Sequence, residues 1–275
     1  MQLDVTVIVP AYRAETTIVR ALASVFAQEG VRAEVVLCAD DGFDYGALLP
    51  SDFRSEGRLT LCRTPAPRSG PCTARNIALG LARAPLIACL DADDAYAPGR
   101  LQRLLPLAER HGVATGPTRE IDPGGAERVA RPREEGSRLP VEDICELRMP
   151  FSPVFRKDKC PLGWAPVEFA EDVILNVDLL CASGGYAFAE GADYLYHLST
   201  GSRSHSADAL MRARGGYHQI LKLVDKRAWP DSVRALVHRV FSEDLANVER
   251  ALGSAASGAS WRAAVRDGSR DPCER

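Results

Sequence analysis

The amino-acid sequence predicts an α/β fold in which a mostly parallel sheet is flanked by helices and followed by a C-terminal helical extension. Up to residue 116, short β-rich apolar segments alternate with segments whose apolar residues recur at helical spacing. The β-rich segments are apolar along their whole length, which is typical of parallel strands covered on both faces. Two amphipathic segments, about residues 206–226 and 230–252, predict the helical extension.

The predicted strands and helices alternate regularly in this first part. The first strand, residues 5–9, consists of five β-branched residues and ends at Pro10. Four further apolar segments predict strands at residues 34–39, 58–63, 86–90 and 113–115. Helices are predicted at residues 14–28, 73–83 and 98–111. Because parallel sheets bind ligands at the carboxyl ends of their strands, we expect a functional site in the loops after these strands.

Beyond Gly116 the regular alternation stops. Residues 117–143 contain a Pro-Gly-Gly sequence and a run of charged residues, which predict a hairpin or flexible loops. A helix is predicted from Glu171 to Ala182 because two glycines follow it, and a strand-like pattern covers residues 186–198. The last segment, residues 253–275, is rich in Ala, Ser and Arg and is expected to be a flexible tail.

Composition narrows the class of protein. The 275 residues suffice for one large domain or one domain with an appendage, and 46% of them are hydrophobic. A net charge of −3 argues against a nucleic-acid binder that neutralises phosphates. The eight cysteines show no C-x-x-C spacing, which indicates reduced core residues of a cytoplasmic protein. We see neither a leader peptide nor an apolar run of the ~18 residues that a membrane span requires.

An acidic cluster directly follows the predicted strand at residues 86–90. It reads Asp91-Ala92-Asp93-Asp94, and three neighbouring carboxylates repel one another unless a cation neutralises them. Hard divalent cations bind carboxylate and phosphate oxygens, so the cluster could hold Mn²⁺ or Mg²⁺ against a diphosphate. The alternative is a solvated acidic turn that precedes the helix starting near Pro98. Spacing alone does not separate these two interpretations.

Further motifs in a fixed order favour the metal site. They read VIVPAY at residues 7–12, ALASVFAQ at 21–28, EVVLCADDG at 34–42, GPCTARNIALG at 70–80, APLIACLDADD at 84–94 with PGRL at 98–101, and FAED at 169–172. Together they resemble the inverting glycosyltransferases of family 2, which have the GT-A-type nucleotide-diphospho-sugar transferase fold. The Q-x-x-R-W motif of processive synthases is absent. The resemblance therefore implies a non-processive, metal-dependent transfer of a sugar from a nucleotide-sugar, with a UDP-sugar favoured, to a hydroxyl acceptor.

The resemblance also assigns roles to residues, each with a simpler alternative. The residues expected to bind the nucleotide-sugar are Pro10, Ala11, Tyr12, Asp40, Asp41, Arg75 and Asp91. Asp40 could instead stabilise its own turn, and Arg75 could form an ordinary ion pair, with Arg68 as a competing diphosphate ligand. Asp93 is the expected metal ligand, with Asp91 beside it, whereas Asp94 is expected to support the turn.

Asp172 is the expected catalytic base, since an inverting transfer needs a carboxylate to take the proton of the attacking hydroxyl. Glu171 is the alternative base. Neighbouring residues on a helix point about 100° apart, so only one of the two can face the acceptor. Both could also be favourable charges in the first turn of a helix.

Some residues depart from the family pattern or stay unassigned. Arg13 and Phe43 replace an Asn and a Ser or Thr that the family usually has near the nucleotide, which makes the identity of the base less secure. His197 and His205 could approach the metal or the diphosphate, although a lone histidine more often has a packing or surface role. The Gly-rich loops of nucleotidyltransferases and dinucleotide-dependent oxidoreductases do not follow the first strand. A non-catalytic nucleotide-sugar-binding or interaction protein remains the alternative function.

The resemblance further divides the chain and suggests partners. Residues 1–116 would form the nucleotide-sugar-binding half and residues 117–205 the acceptor-binding half, with the C-terminal helices at 206–252. The acceptor is expected to be a saccharide or a lipid-linked molecule. An excess of basic residues between 203 and 240 could support peripheral contact with the inner face of the membrane. The alternatives are a solvated helical face or a homodimer interface.

Overall fold

The structure of the chain is a computed structural model that describes residues 3–122, 124, 127–130, 139, 141–146, 151–198, 208–253 and 261–266. A central seven-stranded sheet carries the fold. Its strands, in chain order, are β1 (Val5–Ala11), β2 (Ala33–Ala39), β3 (Leu59–Arg63), β4 (Leu86–Cys89), β6 (Val113–Thr115), β9 (Val154–Arg156) and β10 (Ala187–Phe188). They lie in the order β10-β6-β9-β4-β1-β2-β3, and β9 alone in this sheet runs antiparallel to its neighbours β4 and β6. The predicted mostly parallel sheet is confirmed.

A second sheet of four strands lies beside the first. It consists of β5 (Ala95–Tyr96), β7 (Thr118–Ile121), β8 (Glu127–Ala130) and β11 (Tyr194–His197), in the order β5-β11-β7-β8. The antiparallel pair β7 and β8 is the hairpin predicted within residues 117–143. The strand-like pattern at residues 186–198 forms two strands rather than one. A turn in which the Ala192 N–H donates to the Ala189 carbonyl separates β10 from β11 and sends them to different sheets.

Helices cover the central sheet, and the last of them form an extension at the C-terminus. They are α1 (Ile18–Phe26), α2 (Pro71–Leu81), α3 (Arg100–His111), α4 (Val141–Glu146), α5 (Glu171–Ser183), α6 (Ala209–Val224), α7 (Asp231–Gly253) and α8 (Trp261–Arg266). The prediction of a flexible tail was wrong for α8, which packs on α6 and α7 with Val265 buried. Six residues are too short for a helical period to show in the sequence, so only these contacts reveal the helix.

The core is divided by the central sheet into two apolar clusters. In β1, Val5, Val7 and Val9 pack into one cluster while Ile8 faces the other. Because both faces are covered, β1 is apolar except at Thr6, whose buried hydroxyl donates to the Glu34 carboxylate of β2. The seven cysteines that the structure describes are free thiols, as the sequence predicted.

Buried Arg100 joins the two sheets. Its guanidinium donates to the carbonyls of Ala192 and Ser152 and lies 5.3 Å from the ring centre of Tyr96 and 5.5 Å from that of Tyr194. Burial lowers the pKa of Arg100, because the charged guanidinium is removed from water. The Arg of the P-x-R-L motif thus has a structural role: it holds β11, and with it the second sheet, against the start of α3.

We predict that Arg100→Leu lowers the free energy of unfolding by about 2–4 kcal/mol, because two buried carbonyls lose charged hydrogen-bond donors. Thermal or urea unfolding measures the change. The control is Arg103→Leu on the same helix, whose side chain is exposed and whose loss should change stability by about 0.5 kcal/mol at most. Equal effects of the two substitutions would contradict a structural role for Arg100.

Candidate active site

The ends of β1, β2 and β4 lie at the same edge of the central sheet, close to α2 and the start of α5. The loop after β1 carries Tyr12, the loop after β2 carries Asp40 and Asp41, and the turn after β4 carries Asp91 and Asp93. These three strands are neighbours in the sheet and parallel, so their carboxyl ends lie at one edge. Strand order therefore brings the sequence motifs together.

The side chain of Arg75 connects the two acidic motifs. It lies on α2, is 9% exposed, and donates from Nη2 to Asp91 Oδ1 at 2.7 Å and from Nη1 to Glu171 Oε1 at 3.1 Å. Burial opposes its charge, but Asp91 and Glu171 outweigh that effect and hold the pKa of Arg75 above its ordinary value. One guanidinium thus joins the turn after β4 to the start of α5.

The turn after β4 is held by its fourth residue, Asp94. Its buried carboxylate accepts from the hydroxyl of Tyr194 at 2.7 Å and from the backbone N–H of His197 at 2.8 Å. The Asp91 N–H donates to the same Tyr194 hydroxyl at 3.1 Å. Asp94 therefore supports the turn, in the role expected from the sequence, and joins it to β11.

Asp91 and Asp93 point away from this support. The side chain of Asp91 is 41% exposed, and Asp93 is partly buried. Burial and then the charge of Asp91 raise the pKa of Asp93 to about 6, so its ionised form needs a nearby positive charge. Arg20 of α1 supplies part of that charge, because its guanidinium donates to the backbone carbonyl of Asp93. No sequence motif marks Arg20, which lies on the amphipathic helix α1.

The two candidate bases at the start of α5 have different environments. Glu171 is bound to Arg75, and its side chain is 13% exposed. For Asp172, burial and then repulsion from Glu171 raise the pKa to about 6. The two side chains point in different directions, as their helical spacing requires. Because Glu171 is engaged with Arg75, Asp172 is the better placed of the two to take a proton.

Asp41 joins the loop after β1 to the turn after β2. Its Oδ2 accepts from the Arg13 N–H at 2.6 Å and from the Tyr45 hydroxyl at 2.7 Å, and its Oδ1 accepts from the Phe43 N–H at 3.0 Å. Burial raises the pKa of Asp41, but these hydrogen bonds outweigh it and the net shift is downward. Both residues that depart from the family pattern, Arg13 and Phe43, thus contact this carboxylate through their backbones, a contact that does not require a particular side chain.

The Asp40 carboxylate holds the loop between β3 and α2. Its carboxylate accepts from the backbone N–H groups of Ser69 and Gly70 at 2.8 and 2.9 Å, and from the Thr64 hydroxyl at 2.8 Å. This geometry stabilises the loop of residues 64–70 rather than the turn of Asp40 itself, and a role of Asp40 at the nucleotide stays a prediction. The same geometry also positions Arg68, whose Nε donates to the Tyr12 hydroxyl at 3.0 Å. Tyr12 is 41% exposed, so its ring is accessible to a ligand.

Backbone strain is concentrated in the same loops. Among the described residues, the non-glycine residues with positive φ are Arg13 at 52°, Arg68 at 63° and Ala170 at 58°. Such conformations cost roughly 1 to 3 kcal/mol each and persist where the surroundings enforce them. They stand next to Asp41, Tyr12 and Glu171, respectively.

Trp164 was not among the residues predicted from the sequence. The side chain of Asn76, from the ARN motif, accepts from the Trp164 N–H at 2.8 Å and donates to the Trp164 carbonyl at 2.9 Å. The indole of Trp164 then lies 6.0 Å from the Arg75 guanidinium. Close packing here requires Gly163, since a Cβ at that position would lie 2.4 Å from Asn76 Oδ1. No motif surrounds Trp164, so the sequence did not mark it.

The two histidines have different outcomes. His197 lies next to the acidic turn, bound to Asp94 through its backbone, and burial together with the charge of Arg20 lowers its pKa. Its ring Nδ1 is 3.1 Å from the Leu195 carbonyl. His205 lies outside the described residues. A role of either histidine at the diphosphate stays a prediction.

Comparison with known proteins decides the family. The profile described as glycosyl transferase family 2 matches residues 6–166, more than half of the chain and all but the last of the motifs named above. The chain belongs to glycosyl transferase family 2. The prediction of a family 2 glycosyltransferase is therefore confirmed.

Named relatives of this family 2 chain include proteins of polysaccharide synthesis. The succinoglycan biosynthesis protein ExoO of Rhizobium meliloti is 32% identical over 225 residues, which are 73% of this chain and 62% of ExoO. The UDP-Glc:alpha-D-GlcNAc-diphosphoundecaprenol beta-1,3-glucosyltransferase WfgD of Escherichia coli is 32% identical over 110 residues, 40% of this chain and 43% of WfgD. The chain thus spans less than two thirds of the length of either relative.

Solved structures confirm the fold of this family 2 chain. S. aureus TarS 1-349 in complex with UDP-GlcNAc matches with a TM-score of 0.68 at 17% identity, over 91% of this chain and 73% of TarS 1-349. The mannosyltransferase PcManGT of Pyrobaculum calidifontis, in complex with GDP-Man and Mn²⁺, matches with a TM-score of 0.64 at 19% identity, over 98% of this chain and 79% of that chain. The predicted GT-A-type fold is confirmed.

We predict that Arg75→Lys lowers both stability and any transfer activity, because one ammonium cannot span Asp91 and Glu171 as the planar guanidinium does. The expected loss in the free energy of unfolding is about 1–3 kcal/mol. The matched control is Arg32→Lys, which alters an exposed pair with Asp4 and should change stability by less than about 0.5 kcal/mol. Thermal unfolding of both variants tests the connection, and indistinguishable melting temperatures would contradict it.

Proposed function

We propose that this chain transfers a sugar from a UDP-sugar to an acceptor hydroxyl, with inversion at the anomeric carbon and with a divalent metal at the acidic turn. The observation that carries the proposal is the position of Arg75. It brings the acidic turn with Asp91 and Asp93 close to the start of α5 with Asp172. A donor diphosphate at the turn would therefore place its sugar near a carboxylate of suitable basicity.

The acidic turn fits Mn²⁺ or Mg²⁺ as a shared site. Among the residues that the structure describes, no three His, Cys, Asp or Glu side chains are grouped so as to hold a metal ion by themselves. Two carboxylates, those of Asp93 and Asp91, would bind the metal, and the donor diphosphate would complete the oxygen ligands that such cations prefer. When bound, the metal would stabilise negative charge on the departing nucleotide diphosphate.

Asp172 would act as the general base. The acceptor hydroxyl attacks the anomeric carbon from the side opposite the nucleotide, and its proton passes to the Asp172 carboxylate. A carboxylate whose pKa is about 6 is mostly ionised at neutral pH and is more basic than an ordinary one, so it suits this proton transfer. Arg75 holds Glu171 aside and can also approach the diphosphate through its exposed partner Asp91.

The choice of uridine rests on the end of β1 and the loop after it. Pro10, Ala11 and the exposed ring of Tyr12 lie here beside Asp41, whose lowered pKa keeps a negative acceptor ready for a base N–H. Two similar proteins support the choice, since WfgD is a UDP-Glc transferase and TarS 1-349, which shares the fold, forms a complex with UDP-GlcNAc. PcManGT contains GDP-Man, so the fold itself does not select the base.

For the acceptor we propose a saccharide, free or lipid-linked, because the names of ExoO and WfgD refer to polysaccharide or lipid-linked intermediates. The helices of the described part of the chain include none long and apolar enough to span a membrane. The basic residues of α6, α7 and their connection are largely paired with acids. These pairs are Arg212–Asp208, Arg214–Glu249, Arg227–Asp178, Arg234–Asp231 and Arg239–Glu243. Such pairing favours a solvated helical face over contact with lipid or a second subunit.

The division of the chain into halves follows the same proposal. Residues 1–116 would bind the nucleotide-sugar and residues 117–205 the acceptor, since Trp164 and Asp172 belong to the second part. A protein that binds the donor without catalysis would need only the first half. The placement of Asp172 beside the donor residues therefore supports an enzyme over a binding protein.

We predict that UDP binds more tightly with Mn²⁺ than in EDTA and that Asp93→Ala removes this difference while the protein stays folded. The reason is that Asp93 would be a direct ligand of the metal that joins the protein to the diphosphate. Titration calorimetry measures the affinities, with Asp158→Ala, an exposed acid far from the site in sequence, as the control. Equal UDP affinities in Mn²⁺ and EDTA for the wild type would refute the metal site.

We predict that kcat falls as pH is lowered through about 6, because the protonated form of Asp172 cannot accept a proton. Asp172→Asn should lower kcat by about 10²-fold or more and remove this limb of the profile. The assays use saturating Mn²⁺, since Asp93 without metal would titrate in the same range. Glu109→Gln on the exposed face of α3 is the control.

NMR of the product tests the stereochemistry in the same experiment. An α-linked donor should give a β-linked product, whereas an α-linked product would defeat the inverting mechanism. Full activity of Asp172→Asn would assign the base to another residue, with Glu171 the first to test.

A further inference from the structure

The segment that leads into the candidate base is held by the C-terminal helices. Residues 168–170 immediately precede Glu171 and Asp172, and Ala170 has a left-handed backbone conformation with φ 58° and ψ 32°. No side chain caps the start of α5. A non-glycine residue in this conformation needs support from outside its own loop. The contacts of Glu168 and Phe169 show where that support comes from.

The first contact is a close approach between backbones. A Cβ added to Gly216 of α6 would lie 2.7 Å from both the backbone N and the Cβ of Phe169, and 3.0 Å from its carbonyl oxygen. Real Cβ atoms essentially never come this close, so only glycine allows α6 to pack here. One helical turn further, the Gln219 side chain accepts from the Glu168 N–H at 2.9 Å.

The second contact is an aromatic cluster that includes α8. The ring of Phe169 lies 5.1 Å from that of Trp261 and 6.0 Å from that of Tyr217, in edge-to-face arrangements. Trp261 Nε1 donates to the Tyr217 hydroxyl at 2.8 Å, which fixes the indole relative to α6. Such aromatic pairs contribute beyond their buried area because their geometry is specific. Trp261 therefore closes over Phe169 from the far end of the chain.

We infer that Trp261 is a positioning residue for Asp172, which it orients by holding Phe169 against Gly216 of α6. The inference rests on the proposed function, because it requires Asp172 to be the base. A carboxylate that must meet one acceptor proton loses efficiency when it moves by a fraction of its contact distance. The loops proposed to bind the nucleotide follow β1, β2 and β4 and lie outside this cluster. The affinity for the donor should therefore not depend on Trp261.

The experiment compares Trp261→Ala in the wild-type and Asp172→Asn backgrounds. In the wild type, Trp261→Ala should lower kcat by about tenfold or more and leave the affinity for UDP within about twofold. In the Asp172→Asn background, the same substitution should cause little further loss, because the position of a removed base no longer matters. Trp261→Phe, which keeps an aromatic ring on Phe169, should recover most of kcat.

Two variants separate positioning from a loss of folding. Gly216→Ala retains all three aromatic side chains but forces Phe169 and α6 apart, and it should reproduce the loss of kcat with UDP affinity retained. Val265→Ala removes a buried side chain of α8 that is not part of the aromatic cluster, and it should lower the melting temperature without changing kcat. All variants are checked by thermal unfolding at the assay temperature.

The outcomes are distinct. Wild-type kcat in Trp261→Ala would overturn the inference, and so would equal factors of loss in the two Asp172 backgrounds. A wild-type protein that transfers no sugar would overturn the proposed function itself, whereas an active wild type with an unaffected Trp261→Ala variant would overturn only the positioning role.

Discussion

The site depends on one buried cation. Arg75 is nearly enclosed, and a guanidinium in such a place is stable only with negative partners, which Asp91 and Glu171 provide from two other elements. Arg75 in turn stabilises its partners, because the three carboxylates after β4 and the two at the start of α5 would otherwise repel one another. This mutual neutralisation allows the end of β4, helix α2 and the start of α5 to meet at one site.

Further hydrogen bonds hold these elements in their positions. Asp94 and Tyr194 attach the acidic turn to the second sheet, and Arg100 attaches the second sheet to the first. Asn76 attaches the Trp164 segment to the same helix that carries Arg75. Several residues of the motifs therefore have structural roles, because they hold backbone segments in place. The carboxylates of Asp93 and Asp172 lie between these segments and are the ones to which we assign chemical roles in the proposal.

Charge is distributed in a way that suits transfer to a neutral hydroxyl. Asp93 and Asp172 both have pKa values raised to about 6 by burial and by a neighbouring acid, whereas hydrogen bonds lower the pKa of Asp41. A raised pKa makes a carboxylate a stronger base and a site that favours a cation. A lowered pKa keeps a carboxylate ionised as a hydrogen-bond acceptor. Three acids with similar intrinsic chemistry thus acquire different capacities from their surroundings.

The sequence by itself determined the parallel sheet, the order of the motifs and the family, because these depend on local periodicity and on residues close together in the chain. It also named both ends of the Arg75 bridge without joining them, since Arg75 and Glu171 are 96 positions apart. Only the tertiary structure decided that Glu171 is bound to Arg75, that Asp40 holds the loop between β3 and α2, and that Trp164 and Arg20 flank the site. It also decided that α8 packs beside Phe169, just before the start of α5. Each of these depends on contacts between distant parts of the chain, and a six-residue helix or an isolated tryptophan carries no local pattern that would predict its partner.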